Sequence, residues 1–247
     1  MTVTEPGIEI ASVRRVLDAA LLSSGSQSVQ TVAETIFPTS LYADPGFDWC
    51  PGIDKANATK LDAAAEQLYS MYGDILPTLR TCPANSRGTY FGRMVSWPGK
   101  EPGGVNQLAS RITRLRAVHG HGQRTNNTLD IDLAADALDA QPGGLQVYAA
   151  TDLRPLGFPC LTHIDLTLFE GRLHCLAVYR HQYLIEKAYG NMLGLSWLLA
   201  FLCEQTGFQP GELVVHATMA DAQRRQFSDA SQLVGKARRA LSSEDGE

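Results

Sequence analysis

The sequence predicts an α/β (α+β) fold in which a β-hairpin lies beside a central buried helix. Three observations carry that expectation. Residues 162–169 alternate Ile164, Leu166 and Leu168 with His163, Asp165 and Thr167, the period of a half-buried strand. The apolar run 172–179 follows across the tight-turn pair Glu170-Gly171, so the two runs pair as a hairpin. Residues 192–203 are then apolar nearly all round and lead to Gly207, as expected of a core helix ending on a glycine. At about a dozen residues this run is too short to span a bilayer.

The remaining elements follow in chain order. Residues 10–22 place Val13, Val16, Leu17 and Ala20 at helical spacing and stop at Ser23-Ser24-Gly25-Ser26. A second helix starts near Ser28, carries Val29, Val32, Ala33 and Ile36, and ends before Pro38. Residues 44–57 are rich in Pro, Gly and Asp and are expected as loop, and 61–79 as a helix with Leu68, Met71, Tyr72 and Ile75 inward. After a loop at 81–87, Thr89 to Trp97 reads either as an aromatic strand or as a substrate-facing segment. Residues 105–118 form an amphipathic helix with Val105, Leu108, Ile112 and Leu115 inward and Arg111, Arg114 and Arg116 largely outward, a basic face usually solvated. A short buried strand is expected at 145–150, and residues from about 235 as a polar, flexible tail.

The 247 residues, 44% of them hydrophobic, suffice for one domain spanning 1–247. A net charge of -5 gives no basic field for nucleic acid. The first residues carry no basic-then-apolar signal pattern, so the expectation is a cytoplasmic protein with no membrane partner. Five cysteines without paired spacing argue against a disulfide framework. Cys175 and Cys203 read as buried small hydrophobes. Cys160, behind Gly157 and Pro159 where a loop feeds a strand, is either another inert thiol or a nucleophile. His119 and His121, with no third ligand at suitable spacing, are a weak metal signal, and no metal is expected.

The order Pro159-Cys160, hairpin, Tyr179-Arg180-His181, Tyr189-Gly190-Asn191 and Thr206-Gly207-Phe208-Gln209-Pro210-Gly211-Glu212 resembles thymidylate synthase and the pyrimidine nucleotide hydroxymethylases. The resemblance implies a large mixed β-sheet with surrounding helices, a homodimer, a pyrimidine nucleotide substrate and 5,10-methylenetetrahydrofolate as one-carbon donor. It implies Cys160 as nucleophile, activated by Arg180, whose guanidinium could also fork onto a phosphate with His181 beside it. Asn191 would pair with the oxygen-4 and nitrogen-3 edge of the base, favouring uracil. Glu34 is the candidate for the family's proton-managing glutamate, its alternative a solvated helical glutamate. Tyr90 falls in the segment near the substrate.

The chemistry explains the residue types. Carbon 5 of a pyrimidine is a poor nucleophile until a thiolate adds at carbon 6, so a reversible cysteine adduct makes one-carbon transfer possible. The sequence also departs from the family. Gly143-Gly144 stands where a phosphate-binding arginine pair is expected, and Arg124 is a candidate replacement, as is the Arg111, Arg114 and Arg116 face. Tyr183 occupies the place of a folate-contacting aspartate. Leu161 follows the cysteine in place of a histidine, and Asp221 and Gln223 stand near the ribose-gripping His-x-Tyr. The polar end in place of an apolar lid shifts the expected product from methyl toward hydroxymethyl. The alternative is a catalytically degenerate homologue serving as a binding or assembly subunit.

Overall fold

The computed structural model describes residues 1–6, 9–43, 45–46, 53–97, 104–119, 145–147, 159–223 and 225–244. Along them the chain forms β1 (Thr2–Val3), α1 (Ala11–Ser23), α2 (Val29–Glu34), α3 (Lys55–Leu79), α4 (Tyr90–Val95), α5 (Gln107–His119) and β2 (Leu145–Gln146). There follow β3 (Leu161–Phe169), β4 (Arg172–Tyr179), β5 (Gln182–Tyr183), α6 (Ala188–Thr206), β6 (Gln209–Ala217), β7 (Ala220–Asp221) and α7 (Ala230–Glu244). The architecture is mixed α/β, as expected.

The hairpin turns through Glu170 and Gly171, whose φ angles of 50° and 74° match the twist of the flanking strands. It sits inside a five-stranded mixed sheet ordered β1-β6-β4-β3-β2. β4 and β6 are parallel, so the chain must cross over between them, and α6 is that crossover. Leu166, Leu173, Ala177, Leu213 and Val215 of the sheet share one core with Leu195, Leu198, Leu199 and Leu202 of α6. Gly207, at φ 72°, ends the helix by donating its N–H to the Cys203 carbonyl at 2.8 Å. β1 joins the sheet on β6, with Thr2 opposite Val214 and Val3 opposite Leu213. A separate two-stranded ribbon pairs β5 with β7 in parallel.

The helix α6 also lies hard against α2. A Cβ placed on Gly190 would sit 2.7 Å from the Val32 Cβ, and one on Gly194 only 2.5 Å from the Ala33 carbonyl oxygen. Glycine at both positions is what lets the two backbones approach. The first turn of α6, with Asn191, is thereby set against α2.

Several expectations are corrected. Thr89 to Trp97 begins as helix: the Thr89 hydroxyl accepts the Gly92 N–H at 3.1 Å and caps α4. The helix α3 starts at Lys55 because Asp54 caps it through the Asn57 N–H at 2.8 Å. Its buried stripe is Leu61, Ala65, Leu68, Tyr72 and Leu76, while Met71 and Ile75 are 39% and 37% exposed. In α5, Leu108, Ile112 and Leu115 are buried as expected, but Arg111 is buried too, while Val105 falls before the helix and is 53% exposed. Burial lowers the Arg111 guanidinium to about 10, with Arg114 adding to the effect. The end of the chain is not a loose tail through residue 244. Half-buried Leu233, Ala237 and Ala240 form a helical stripe on α7, and the Ser12 hydroxyl of α1 donates to the Ala240 carbonyl at 3.3 Å. Strand β6 was not anticipated, because Pro210-Gly211 signals a turn; the proline falls at the second residue of the strand, near its start. Cys175 and Cys203 are buried and free.

Gly194→Leu is expected to destabilise the fold by roughly 1–3 kcal/mol, because the carbonyl it meets belongs to a helix backbone and cannot swing aside. In a chain of this size that lowers the melting temperature by about 2–4 °C per kcal/mol. Gly235→Ala in α7, where the nearest atom to a new Cβ is the flexible Arg239 Nη1 at 3.5 Å, should hold or raise it. Thermal unfolding of the two variants checks both.

Candidate functional site

A cavity of about 280 Å³ opens between α2, the start of α4, the residue before β3 and the first turn of α6. That is close to the lower end of small-ligand pockets. Cys160, Tyr90, His181, Tyr183 and Asn191 all line it, so five of the residues singled out from sequence meet in one place.

Each is placed by a local cause. The Thr89 cap sets Tyr90 at the first position of α4. From there its hydroxyl accepts the N–H of Cys160 at 3.2 Å and of Leu161 at 3.4 Å. Burial raises the Tyr90 phenol to about 12, which keeps it protonated. Just beyond, the β3–β4 register shifts between Leu161 and His163, a bulge of the kind that re-aims a chain beside a site. The same shift buries Leu161 together with Ile164, breaking the simple alternation.

Arg180 closes the turn from the other side. Its Nε donates to the Pro159 carbonyl at 2.8 Å and its backbone N–H to the Cys160 carbonyl at 2.9 Å. It does not line the cavity. A second cation does: Lys187, at the N-cap of α6, whose Nζ donates to Gln27 Oε1 at 2.5 Å. Burial pushes the Cys160 thiol up from its ordinary value, and Arg180 first, then Lys187, pull against that rise. Arg180 thus acts on the thiol in the lowering direction, but burial outweighs it. Desolvation is the largest effect, and two positive charges offset part of it. Burial likewise lowers the Lys187 ammonium.

The polar edge of the cavity is an amide pair. Asn191 is 5% exposed and donates from Nδ2 to Gln182 Oε1 at 3.3 Å. Gln182 is 1% exposed, and its own Nε2 is buried without a hydrogen-bond partner among the described residues, a state that costs about 1–3 kcal/mol. The His181 Nε2 is also buried and has no hydrogen-bond partner among the described residues, and the ring lies 4.6 Å from that of Tyr183. His181 further borders a second cavity with Asp221, Gln223 and Arg225.

Other sequence candidates fall elsewhere. Glu34 does not line the cavity; its carboxylate accepts from Gln30 Nε2 at 2.8 Å, Thr39 Oγ1 at 2.9 Å and Ser40 Oγ at 2.9 Å. Arg124 lies outside the described residues. Of the helical arginines, Arg116 is tied to the Gln205 carbonyl and to Asp62, each at 2.6 Å, and so braces α5 against α6 and α3. Lys187 and Gln182 were missed from sequence. The only signal for either was its position within the segment joining Arg180 to Asn191. Among the described residues no three His, Cys, Asp or Glu side chains converge as a metal site, and no helix is long and apolar enough to cross a membrane.

No protein-family model matches the chain. Two curated proteins do. Each carries the name "Putative thymidylate synthase", one from Methanothermobacter marburgensis and one from Methanothermobacter thermautotrophicus, and they are 25% and 24% identical to this chain. Each match covers 133 residues, 53% of this chain and 51% of the relative, so the chain spans about half the length of the curated relatives it matches.

The opposed effects on Cys160 give a test. Lys187→Gln removes a charge that favours the thiolate, so the midpoint of the pH profile for Cys160 alkylation by iodoacetamide should move to higher pH. Arg180→Gln should move it further. Peptide mass spectrometry separates Cys160 from exposed Cys82, and an unchanged midpoint in both variants would mean that neither cation acts on the thiol.

Proposed function

We propose that the protein transfers a one-carbon unit to C5 of a pyrimidine nucleotide through a covalent Cys160 adduct. The single observation that carries this reading is the meeting of a half-buried thiol, a cation and an amide pair around one cavity of base size. The similarity to the two named relatives supports the same class of chemistry.

The steps follow from the residues. The Cys160 thiolate adds to C6, and the C5–C6 π electrons move toward C5 and the 4-oxo group. Asn191 and its neighbours hold that edge. C5 then bonds to the incoming carbon and loses its proton, and the bond from that carbon to its carrier breaks with the electron pair going to the carrier's nitrogen, which leaves an exocyclic methylene on C5 while sulfur stays on C6. Arg180 fixes the turn that presents the thiol, and both cations favour its ionised form. 5,10-Methylenetetrahydrofolate, when bound, would supply a carbon at the oxidation level of formaldehyde. Tyr183, 39% exposed at the cavity, offers it a ring face in place of a carboxylate. Addition of hydride from the one-carbon donor, or of water, to that methylene would expel the thiolate from C6 and give methyl or hydroxymethyl respectively. The proposed enzyme is a homodimer, as the resemblance implies.

A second reading has its own support. Burial holds the thiol above its ordinary value and the Arg180 Nε is committed to a backbone carbonyl. Both suit a subunit that binds nucleotide without turnover.

Tritium release from 5-tritiated dUMP, UMP and CMP, with and without methylenetetrahydrofolate, separates the two. The enzyme reading expects release in the wild type and none from Cys160→Ser. Nucleotide binding with no release under any condition would favour the second reading.

A further inference from the structure

Gln182 lines the cavity, is 1% exposed, and has a side-chain Nε2 with no hydrogen-bond partner among the described residues. Its backbone is fixed on both sides. The N–H donates to the Met219 carbonyl at 2.9 Å, and the β5–β7 pairing sets Gln182 opposite Ala220. Asn191 is fixed too, its N–H bonded to the Lys187 carbonyl at 2.8 Å within the start of α6. The hydrogen bond from Asn191 Nδ2 to Gln182 Oε1 orients both amides at once. It consumes a donor of Asn191 and the acceptor of Gln182. What the pair leaves is an acceptor on Asn191, Oδ1, and a buried donor on Gln182, Nε2, without a partner among the described residues.

An acceptor and a donor match a flat ring edge that carries a carbonyl next to an N–H. The uracil edge has that order, oxygen at position 4 and a proton on nitrogen 3. The cytosine edge has the reverse, an amino group at position 4 and a bare nitrogen at position 3. We infer that Gln182 determines base specificity in this cavity, donating from Nε2 to the 4-oxo group of a uracil-type base while Asn191 Oδ1 accepts the N3 proton. The inference rests on the proposed pyrimidine nucleotide substrate and assigns to a second residue half of the reading that Asn191 alone was expected to perform. A bound uracil would satisfy the donor that is otherwise buried without a partner among the described residues.

The test is direct binding of dUMP, UMP, dCMP and CMP to the full chain by titration calorimetry, with melting curves to establish that each variant is folded. Wild type is expected to prefer the uracil nucleotides. Gln182→Glu keeps the acceptor for Asn191 but puts a second acceptor where the donor was. Uracil binding should fall on the order of 10- to 100-fold, and the uracil-to-cytosine ratio should narrow or invert. Gln182→Met, of similar length and without a donor, should weaken uracil binding by about 10-fold and cytosine binding less. A wild type that prefers uracil, with folded variants that keep the same ratio, would overturn the role of Gln182 and leave the nucleotide substrate standing. Preference of the wild type for cytosine would mean that the amide pair is inverted, and would also overturn it. Binding of none of the four nucleotides by the wild type would remove the proposed substrate and this inference with it.

Discussion

The close approach of α6 to α2 is the constraint on which the rest of the molecule depends. Gly190 and Gly194 lie one turn apart on the same face, and neither has room for a side chain against Val32 and Ala33. Because α6 is also the crossover between the parallel strands β4 and β6, this contact fixes the helix against a second helix and against the sheet together. Lys187 and Asn191 sit at and just inside the N-terminal end of that helix, and Val32 and Thr35 line the cavity from α2. The cavity lies between these two helices, the start of α4 and the residue before β3.

Around that space, polar groups are held largely by backbone. Tyr90 and Arg180 reach the same short turn from opposite directions, one through the N–H groups of Cys160 and Leu161, the other through the carbonyls of Pro159 and Cys160. The backbone on either side of the Cys160 thiol is thereby held in place. The thiol's ionisation is a contest between desolvation and two cations on different elements, and desolvation is the larger effect. Ligand entry that brings a negative group beside Lys187 or Arg180 would change that balance again.

Much of this was legible in the sequence because it is periodic. The 162–179 hairpin, its Glu170-Gly171 turn and the all-apolar helix ending at Gly207 are local patterns, and they appear where the patterns put them. The convergence of Cys160, His181 and Asn191 was legible only as order along the chain. What was not legible depends on partners distant in sequence. Strand β6 exists because β4 offers an edge to pair with, and its Pro210-Gly211 start looks like a turn in isolation. Arg111 is inside because α5 presses that face onto the core, which no charge count reveals. Lys187 and Gln182 belong to no local pattern; they matter because a cavity forms beside them. Glu34 illustrates the reverse case, a carboxylate of plausible position whose oxygens are taken up by Gln30, Thr39 and Ser40.

The pairing of Thr2 and Val3 with Val214 and Leu213 has a consequence for how the chain acquires its structure during synthesis. An edge strand made of Thr2 and Val3 cannot dock until residues more than two hundred positions later have emerged from the ribosome. The loop closure it requires spans more than two hundred residues, so this edge is assembled late and the hairpin, with its two-residue turn, early. Until then β6 keeps one side open, and the nascent protein carries an exposed strand edge of the sort that recruits chaperones or neighbours.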